Sequence, residues 1–258
     1  MKQYSEILTN IKNWVNEAGE ELLEGLERTI EINEKSSSID LVTEMDIWAE
    51  KFLLGKIGEH YPGHAVVTEE GGTVEVVSGS EYEWIIDPID GTTNYAHGFP
   101  MFCISIGVKH HGETVIGVVY APGLGELYEA VKGKGSYLNG KPLVVSRRKK
   151  LRQAVIATGF PYDRAEHPQN NVNEFSKVVL EVGGIRRTGS AALDLCQVAA
   201  GRFEGYWEFK LKPWDVTAGI LLVEEAGGRV KVEQQDTGLH VLAGNDTIFI
   251  ELERLLEA

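Results

Sequence analysis

The sequence predicts an α/β protein in which helices pack on sheets, and three observations point there. Residues 5–31 carry apolar side chains at helical spacing over a Glu-, Lys- and Asn-rich opposite face. Residues 102–143 read as short strands joined by turns. Beyond residue 150, strands, helices and glycine turns alternate, which marks an α/β layer. At 258 residues, 43% hydrophobic and 25% charged, the chain buries a sizeable core in a soluble protein. A net charge of −14 speaks against a general nucleic-acid binder, whose surface must neutralise phosphates. Cys103 and Cys196 each lie in an apolar stretch, and two cysteines make neither a disulfide framework nor a Cys-x-x-Cys metal site. The first residues lack a signal peptide's basic and apolar segments, and no apolar run approaches the ~20 residues of a membrane span. A cytoplasmic protein is expected.

The elements follow in order. Ile7, Leu8, Ile11, Trp14, Val15, Ala18, Leu22, Leu23, Leu26 and Ile30 trace the buried stripe of the first helix, and residues 35–38 form a polar loop. A second helix runs from Thr43 to about Glu59, with Asp46 in its first turn, where a carboxylate complements the helix dipole. Ala65 to Thr68 is a short strand ending in Glu69-Glu70-Gly71-Gly72, read as a mobile loop. Trp84-Ile85-Ile86 is a buried strand that Asp87-Pro88 stops, since proline cannot donate to the ladder. Residues 102–108 and 114–120 form a hairpin around His110-His111-Gly112-Glu113. The adjacent histidines are read as turn residues, because neighbours on a strand point to opposite faces. Asn139-Gly140 marks a second hairpin. The basic run from Arg147 to Arg152 separates an N-terminal helix–sheet half, 1–146, from a C-terminal α/β half, 147–258, in one compact unit. There follow a strand at 154–159, a helix at 170–182, a helix opening at Gly189-Ser190, a strand at 205–209, a helix from Pro213 to Ala226, two strands and a closing helix at 247–257.

The chemistry concentrates in Trp84-Ile85-Ile86-Asp87-Pro88-Ile89-Asp90-Gly91-Thr92-Thr93-Asn94. A carboxylate at the end of a buried strand demands a partner or a metal, and Asp90 follows one residue after Pro88. Gly91-Thr92-Thr93-Asn94 favours a helix start, whose free N–H groups attract anions. Carboxylates for a hard cation beside an anion site suggest metal-dependent phosphate chemistry. The same stretch also reads as an ordinary strand-ending turn. Asp46 and Asp215 read equally as helix-start residues, Asp215 as an N-cap. Glu69-Glu70 repeats the strand-then-acid pattern, so one of the two is a candidate to converge with Asp87.

These residues together resemble the inositol monophosphatase family, within the Mg²⁺-dependent, lithium-sensitive sugar phosphatases. The first motif is the 84–94 stretch and the second is Pro213-Trp214-Asp215-Val216-Thr217-Ala218-Gly219. Thr158-Gly159-Phe160-Pro161-Tyr162 and Arg187-Thr188-Gly189-Ser190-Ala191-Ala192 match further family segments in order, and the likeness runs from Asp40 to Gly228. It implies a layered αβαβα sandwich of the inositol monophosphatase and fructose-1,6-bisphosphatase type. By the same resemblance, Glu69, Asp87 and the Ile89 carbonyl hold one Mg²⁺. Asp87 bridges to a second held by Asp90 and Asp215, and a third, weaker ion lies near Glu69. Asp46 and Thr92 resemble the pair that orients the attacking water, and with Glu69 they make up the implied catalytic set. Gly91 and Thr92 backbone N–H groups would hold phosphate, and Ser190, Ala191, Glu208 and Asp90 would meet the substrate.

The implied activity is hydrolysis of myo-inositol 1-phosphate or a related polyol or sugar phosphate, in a homodimer. Fructose-1,6-bisphosphatase is the nearest alternative, followed by histidinol-phosphate and nucleotide-bisphosphate phosphatases. An RNA- or polymerase-associated factor is the alternative from another class, resting on the basic run alone.

Overall fold

A computed structural model describes residues 2–28, 32–35, 41–74 and 79–257. The elements are α1 (Lys2–Gly25), β1 (Ile32–Glu34), β2 (Leu41–Thr43), α2 (Glu44–His60), β3 (Ala65–Thr68), β4 (Gly72–Val74), β5 (Tyr82–Asp90), α3 (Thr92–Ala96), β6 (Cys103–His110), β7 (Glu113–Ala121), β8 (Glu126–Val131), β9 (Ser136–Leu138) and β10 (Lys141–Pro142). The remainder comprises β11 (Val155–Thr158), α4 (Val172–Val178), β12 (Gly184–Arg186), α5 (Ala191–Ala199), β13 (Gly205–Leu211), α6 (Pro213–Glu225), β14 (Arg229–Gln235), β15 (Gly238–Gly244) and α7 (Asp246–Glu257). An eight-stranded sheet has the order β10-β9-β8-β7-β6-β5-β3-β4, and a five-stranded one the order β12-β11-β13-β15-β14. The large sheet ends at Pro142 and the small one begins at Val155, so the sheet changes across the segment that carries the basic run.

Five layers follow from which faces are apolar. Ile7, Ile11, Trp14, Val15, Ala18 and Leu22 of α1 are buried, and with α2 they pack on one face of the large sheet. Strand β5 is buried along nearly its whole length because helices cover both faces of the sheet at this point. Helices α5 and α6 form the middle layer, and their apolar side chains join those of β7, β8, β13 and β15 in one continuous core. The small sheet's far face, with Ile156, Trp207 and Leu242, packs on α4 and α7. The αβαβα order expected from the resemblance is the order observed.

Two glycines set how closely the middle layer approaches. Gly107 and Gly117 are register partners on β6 and β7, directly beneath α6. A Cβ on Gly117 would lie 2.8 Å from the Ala218 carbonyl oxygen and 3.1 Å from its Cα, both helix backbone that cannot step aside alone. Gly117→Ala is therefore expected to destabilise the fold by about 1–3 kcal/mol, the cost of overpacking a full core. Denaturant unfolding checks this, and an unchanged midpoint would show that α6 shifts freely.

Several boundaries differ from expectation. The first helix ends at Gly25, with a turn to Arg28, and Ile30, like the 36–38 loop and Asp40, lies outside the described residues. The segment after Glu69 is a hairpin, since β4 pairs antiparallel with β3, rather than a free loop. Helix α4 covers seven residues, starting after Asn171 in a left-handed conformation (φ 69°). Strand β5 does not stop at Asp87. It continues to Asp90 through a bulge, where Asp87 faces Ser105 and Asp90 faces Cys103, so Pro88 sits where the ladder is already interrupted.

Candidate active site

The parallel pairing of β3 with β5 explains why two strand-ending acids meet. Thr68 lies opposite Ile86, so the next residues, Glu69 and Asp87, leave adjacent strands at the same end. The bulge then turns Asp90 to the same side, and α6, seated low on the glycine pair, brings Asp215 from the middle layer. All four line one cavity of about 660 Å³, together with Ile89, Gly91, Thr92, Ser190, Ala191 and Glu208. Of the residues singled out in the sequence, Asp46 alone does not line it.

Asp46 stands behind the wall. Its Oδ2 accepts from the Thr43 backbone N–H at 2.8 Å, and its Oδ1 accepts from the Thr92 hydroxyl at 2.9 Å. Thr43 in turn caps α2 and accepts from the Met45 and Asp46 N–H groups. Asp46 therefore lies in the first turn of α2 and also accepts from Thr92. The Thr92 hydroxyl also lies 3.1 Å from the Ile89 carbonyl. Its one hydrogen serves either acceptor, which leaves oxygen lone pairs facing the cavity.

Asp90 is anchored rather than loose. Its Oδ2 accepts from Ser190 Oγ at 2.7 Å and from the Ala192 N–H at 2.6 Å. Ser190 is also the N-cap of α5, accepting from the Leu193 N–H. Its hydroxyl is thereby occupied in joining the first motif to the start of α5. Asp215 is the third residue of α6 rather than the N-cap. Pro213 takes the first helical position, where its missing N–H costs nothing, and Asp215 accepts from the Lys212 N–H at 2.7 Å.

Burial first, and then the charges of Glu69, Asp90, Asp215 and Asp46, push the Asp87 carboxyl far above the usual range. Burial followed by Asp90 and Glu69 does the same to Asp215. Asp46 is pushed up to about 6 by burial, against its hydrogen bonds from Thr43 and Thr92. Glu208 is pushed up to about 7, again by burial, while Tyr206 donates to it at 2.9 Å. Lys35 meets Glu69 at 2.8 Å and also reaches Glu70. Eight acidic and four basic side chains line the cavity, so its charge repels an anionic substrate unless cations join it. No histidine or cysteine is among the lining residues described, and the oxygen-only donors suit a hard cation.

Four residues escaped the sequence reading. Gly159 makes room for Glu208, whose carboxylate fills the place of any Cβ there. Asn94 donates to the carbonyls of Met101, at 2.6 Å, and Thr188, at 2.8 Å, fixing the first motif against the segment before Ser190. Glu50 accepts from the Glu70 and Gly71 N–H groups and holds the Glu69 loop. Asp194 lies buried in the cavity wall, its carboxyl raised by burial and bonded by Thr188 at 2.7 Å. Asn94, at the first motif's end, and Gly159, in the 158–162 segment, lay in stretches that resemble the family, while Glu50 and Asp194 carried no signal. Cys103 and Cys196 are free buried thiols.

Fold and site define a layered α/β protein with an acidic cavity whose oxygen donors suit hard cations. The comparisons give that class its family. The inositol monophosphatase family model matches residues 3–247, and the chain belongs to this family of phosphatases. It is 44% identical over 242 residues to the Nus factor SuhB of Pseudomonas aeruginosa, covering 90% of this chain and 89% of that one. It is 41% identical over 216 residues to the fructose-1,6-bisphosphatase/inositol-1-monophosphatase of Aquifex aeolicus, covering 83% and 81%. Among solved structures, the inositol monophosphatase of Anabaena (Nostoc) sp. superposes with a TM-score of 0.87 at 38% identity, covering 99% and 96%.

Proposed function

We propose that the chain is a Mg²⁺-dependent phosphomonoesterase acting on myo-inositol 1-phosphate or a related small polyol or sugar phosphate. The observation that carries this reading is the convergence of Glu69, Asp87, Asp90 and Asp215 with the Asp46–Thr92 pair at a single cavity. Glu69, Asp87 and the Ile89 carbonyl would hold one Mg²⁺, and Asp87, Asp90 and Asp215 a second, with room near Glu69 for a third. Bound there, the ions would supply positive charge to the phosphoryl group and lower the pKa of water.

The chain's own residues do the positioning. Thr92, its hydrogen directed to Asp46 or to the Ile89 carbonyl, presents lone pairs that orient a water for in-line attack. Ser190 and Ala192 keep Asp90 in one rotamer, so the ligand set is organised before substrate arrives. The N–H groups of Gly91 and Thr92 face the phosphate, and Gly91 holds φ 100°, a left-handed conformation suited to glycine. Glu208 and Ala191 line the part of the cavity that meets substrate hydroxyls, and about 660 Å³ suits a small phosphorylated polyol. We take the working form to be a cytoplasmic homodimer. Among the described residues, no helix is long and apolar enough to cross a membrane.

Phosphate release with Mg²⁺ from inositol 1-phosphate and fructose 1,6-bisphosphate, measured side by side, tests the reading. A higher kcat/KM on the first substrate is the expected result. Preference for the bisphosphate would move the chain to the nearest alternative, which the Aquifex relative's double name also carries. The Nus factor SuhB name of the Pseudomonas relative lends slight support to a second reading, an RNA- or polymerase-associated protein. Residues 147–150 are an exposed irregular segment in which Arg148 pairs with buried Glu204 while Arg147, Lys149 and Lys150 are offered to a partner. No turnover of either substrate by folded protein would sink both leading substrates and move this reading up.

A further inference from the structure

A second group of potential ligands lies at the opposite end of β5. Glu81, His110 and His111 each present a donor atom, all within 4.8 Å of one another. Glu81 precedes β5 and Asp87 lies six residues along it, so about 20 Å of strand separates this group from the cavity. Adjacent residues in regular strand project to opposite faces, but His111 is not in regular strand. His111 and Gly112 have φ of 51° and 82°, the two left-handed residues of a tight hairpin turn between β6 and β7. That conformation swings the His111 imidazole beside that of His110, with ring centroids 4.2 Å apart.

The surroundings hold the donors in place. Tyr4 on α1 bonds His110 Nδ1 at 2.8 Å, which leaves Nε2 as the nitrogen facing the group. Tyr82 stacks on the His110 ring at 4.2 Å. The His111 N–H donates to the Glu81 carbonyl at 2.8 Å, tying the carboxylate's backbone to the turn. The two Nε2 atoms lie 3.9 and 4.0 Å from Glu81 oxygens. A tetrahedral ion with bonds of about 2.0–2.1 Å needs donors about 3.4 Å apart. Closing that gap takes a small rotation of Glu81, an exposed side chain with free torsions.

We propose that Glu81, His110 and His111 form a binding site for a borderline divalent cation of the Zn²⁺ class, separate from the hard-cation cavity. Two imidazoles and one carboxylate with an open fourth position are a Zn²⁺ donor set, whereas the cavity offers oxygen alone. The Tyr4 bond is the outer contact that such a ligand histidine needs to fix its ring. An ion here clips the start of β5 to the β6–β7 turn, with α1 held through Tyr4.

The test is Zn²⁺ titration of the full chain by calorimetry, with Mg²⁺ in excess to occupy the oxygen donors of the cavity. Wild type should take up a single equivalent, and Asp87→Asn should bind it as well as wild type. His111→Ala should lose it while phosphate turnover stays unchanged, and Tyr4→Phe should weaken it roughly tenfold or more. X-ray absorption of the Zn²⁺-loaded protein should show two imidazole nitrogens. Equal uptake by His111→Ala, or uptake that Asp87→Asn abolishes, would overturn the assignment. So would a wild-type protein that binds no Zn²⁺ under these conditions.

Discussion

Asp87→Asn is expected to lower Mg²⁺-dependent phosphate release by well over a hundredfold and to raise the unfolding temperature of the metal-free protein at pH 8. The two effects share one cause. Asp87 is 2% exposed, with Glu69, Asp90 and Asp215 around it and Lys35 as the cation nearest the loop. Without metal, ionising it sets a charge against Glu69, Asp90 and Asp215, and keeping it neutral holds a proton that the unfolded chain releases, so removing the carboxylate relieves that cost. With metal, the same charge is what a bridging ligand supplies. Even outer contacts to a metal ligand are worth about 10–100-fold, so loss of a bridging carboxylate exceeds that. Asparagine preserves the shape and the bond from the Ile89 N–H, which spans 3.0 Å to Oδ1, so the fold is not otherwise disturbed. Phosphate release and calorimetry in chelator read the two halves independently. A variant that is inactive and also less stable without metal would mean that Asp87 holds the fold together, contrary to the proposed role.

This opposition between function and stability is also why the site was partly legible in the sequence. A strand such as 84–86 that runs into two acids is locally inconsistent, and such inconsistency marks functional sites. Repetition of the pattern at Glu69 carried further, because the parallel register of β3 and β5 converts two sequence-local signals into one place. The motif at 213–219 located Asp215, although its exact position in the helix depended on where Pro213 sits. What stayed hidden are residues whose roles arise only through long-range packing. Gly107 and Gly117 look like ordinary strand glycines until α6 lies across them. Glu50 looks like a solvated helix position until it meets the Glu70 and Gly71 N–H groups. The histidine pair reads as turn residues, and His111 does lie in the hairpin turn, but the period-two rule hides that this left-handed turn sets its ring beside that of His110. Helix ends misjudged at α1 and α4 belong to the same class, because Leu26 and Val182 continue the apolar pattern and pack on the core from turns beyond the helices.

Mg²⁺ is expected to stabilise the protein strongly at pH 8 and little at pH 5, with the metal-free protein showing the reverse preference. Burial raises Asp46 to about 6 and Glu208 to about 7, and lifts Asp87, Asp215 and Asp194 well above the ordinary carboxylate range. In the unfolded chain all five return to about 4. Between those limits the folded protein binds more protons than the unfolded one, and stability falls as pH rises. Their stabilisation is complete below the unfolded pKa near 4. It is lost as pH climbs through 6 and 7 and beyond, where the buried groups must ionise or hold a proton that the unfolded chain releases. A divalent cation reverses the sign at the carboxylates that hold it, since it binds their ionised form and competes with protons. At a hundred times its dissociation constant the ion adds about 2.7 kcal/mol. At pH 5 protons occupy the same oxygens, so the dissociation constant rises and the gain shrinks. Thermal unfolding with chelator and with Mg²⁺ at the two pH values gives four temperatures, and their double difference isolates the competition. A Mg²⁺ increment that is equal at both pH values would show that the ion binds away from the buried carboxylates, and the site described above would then be wrong.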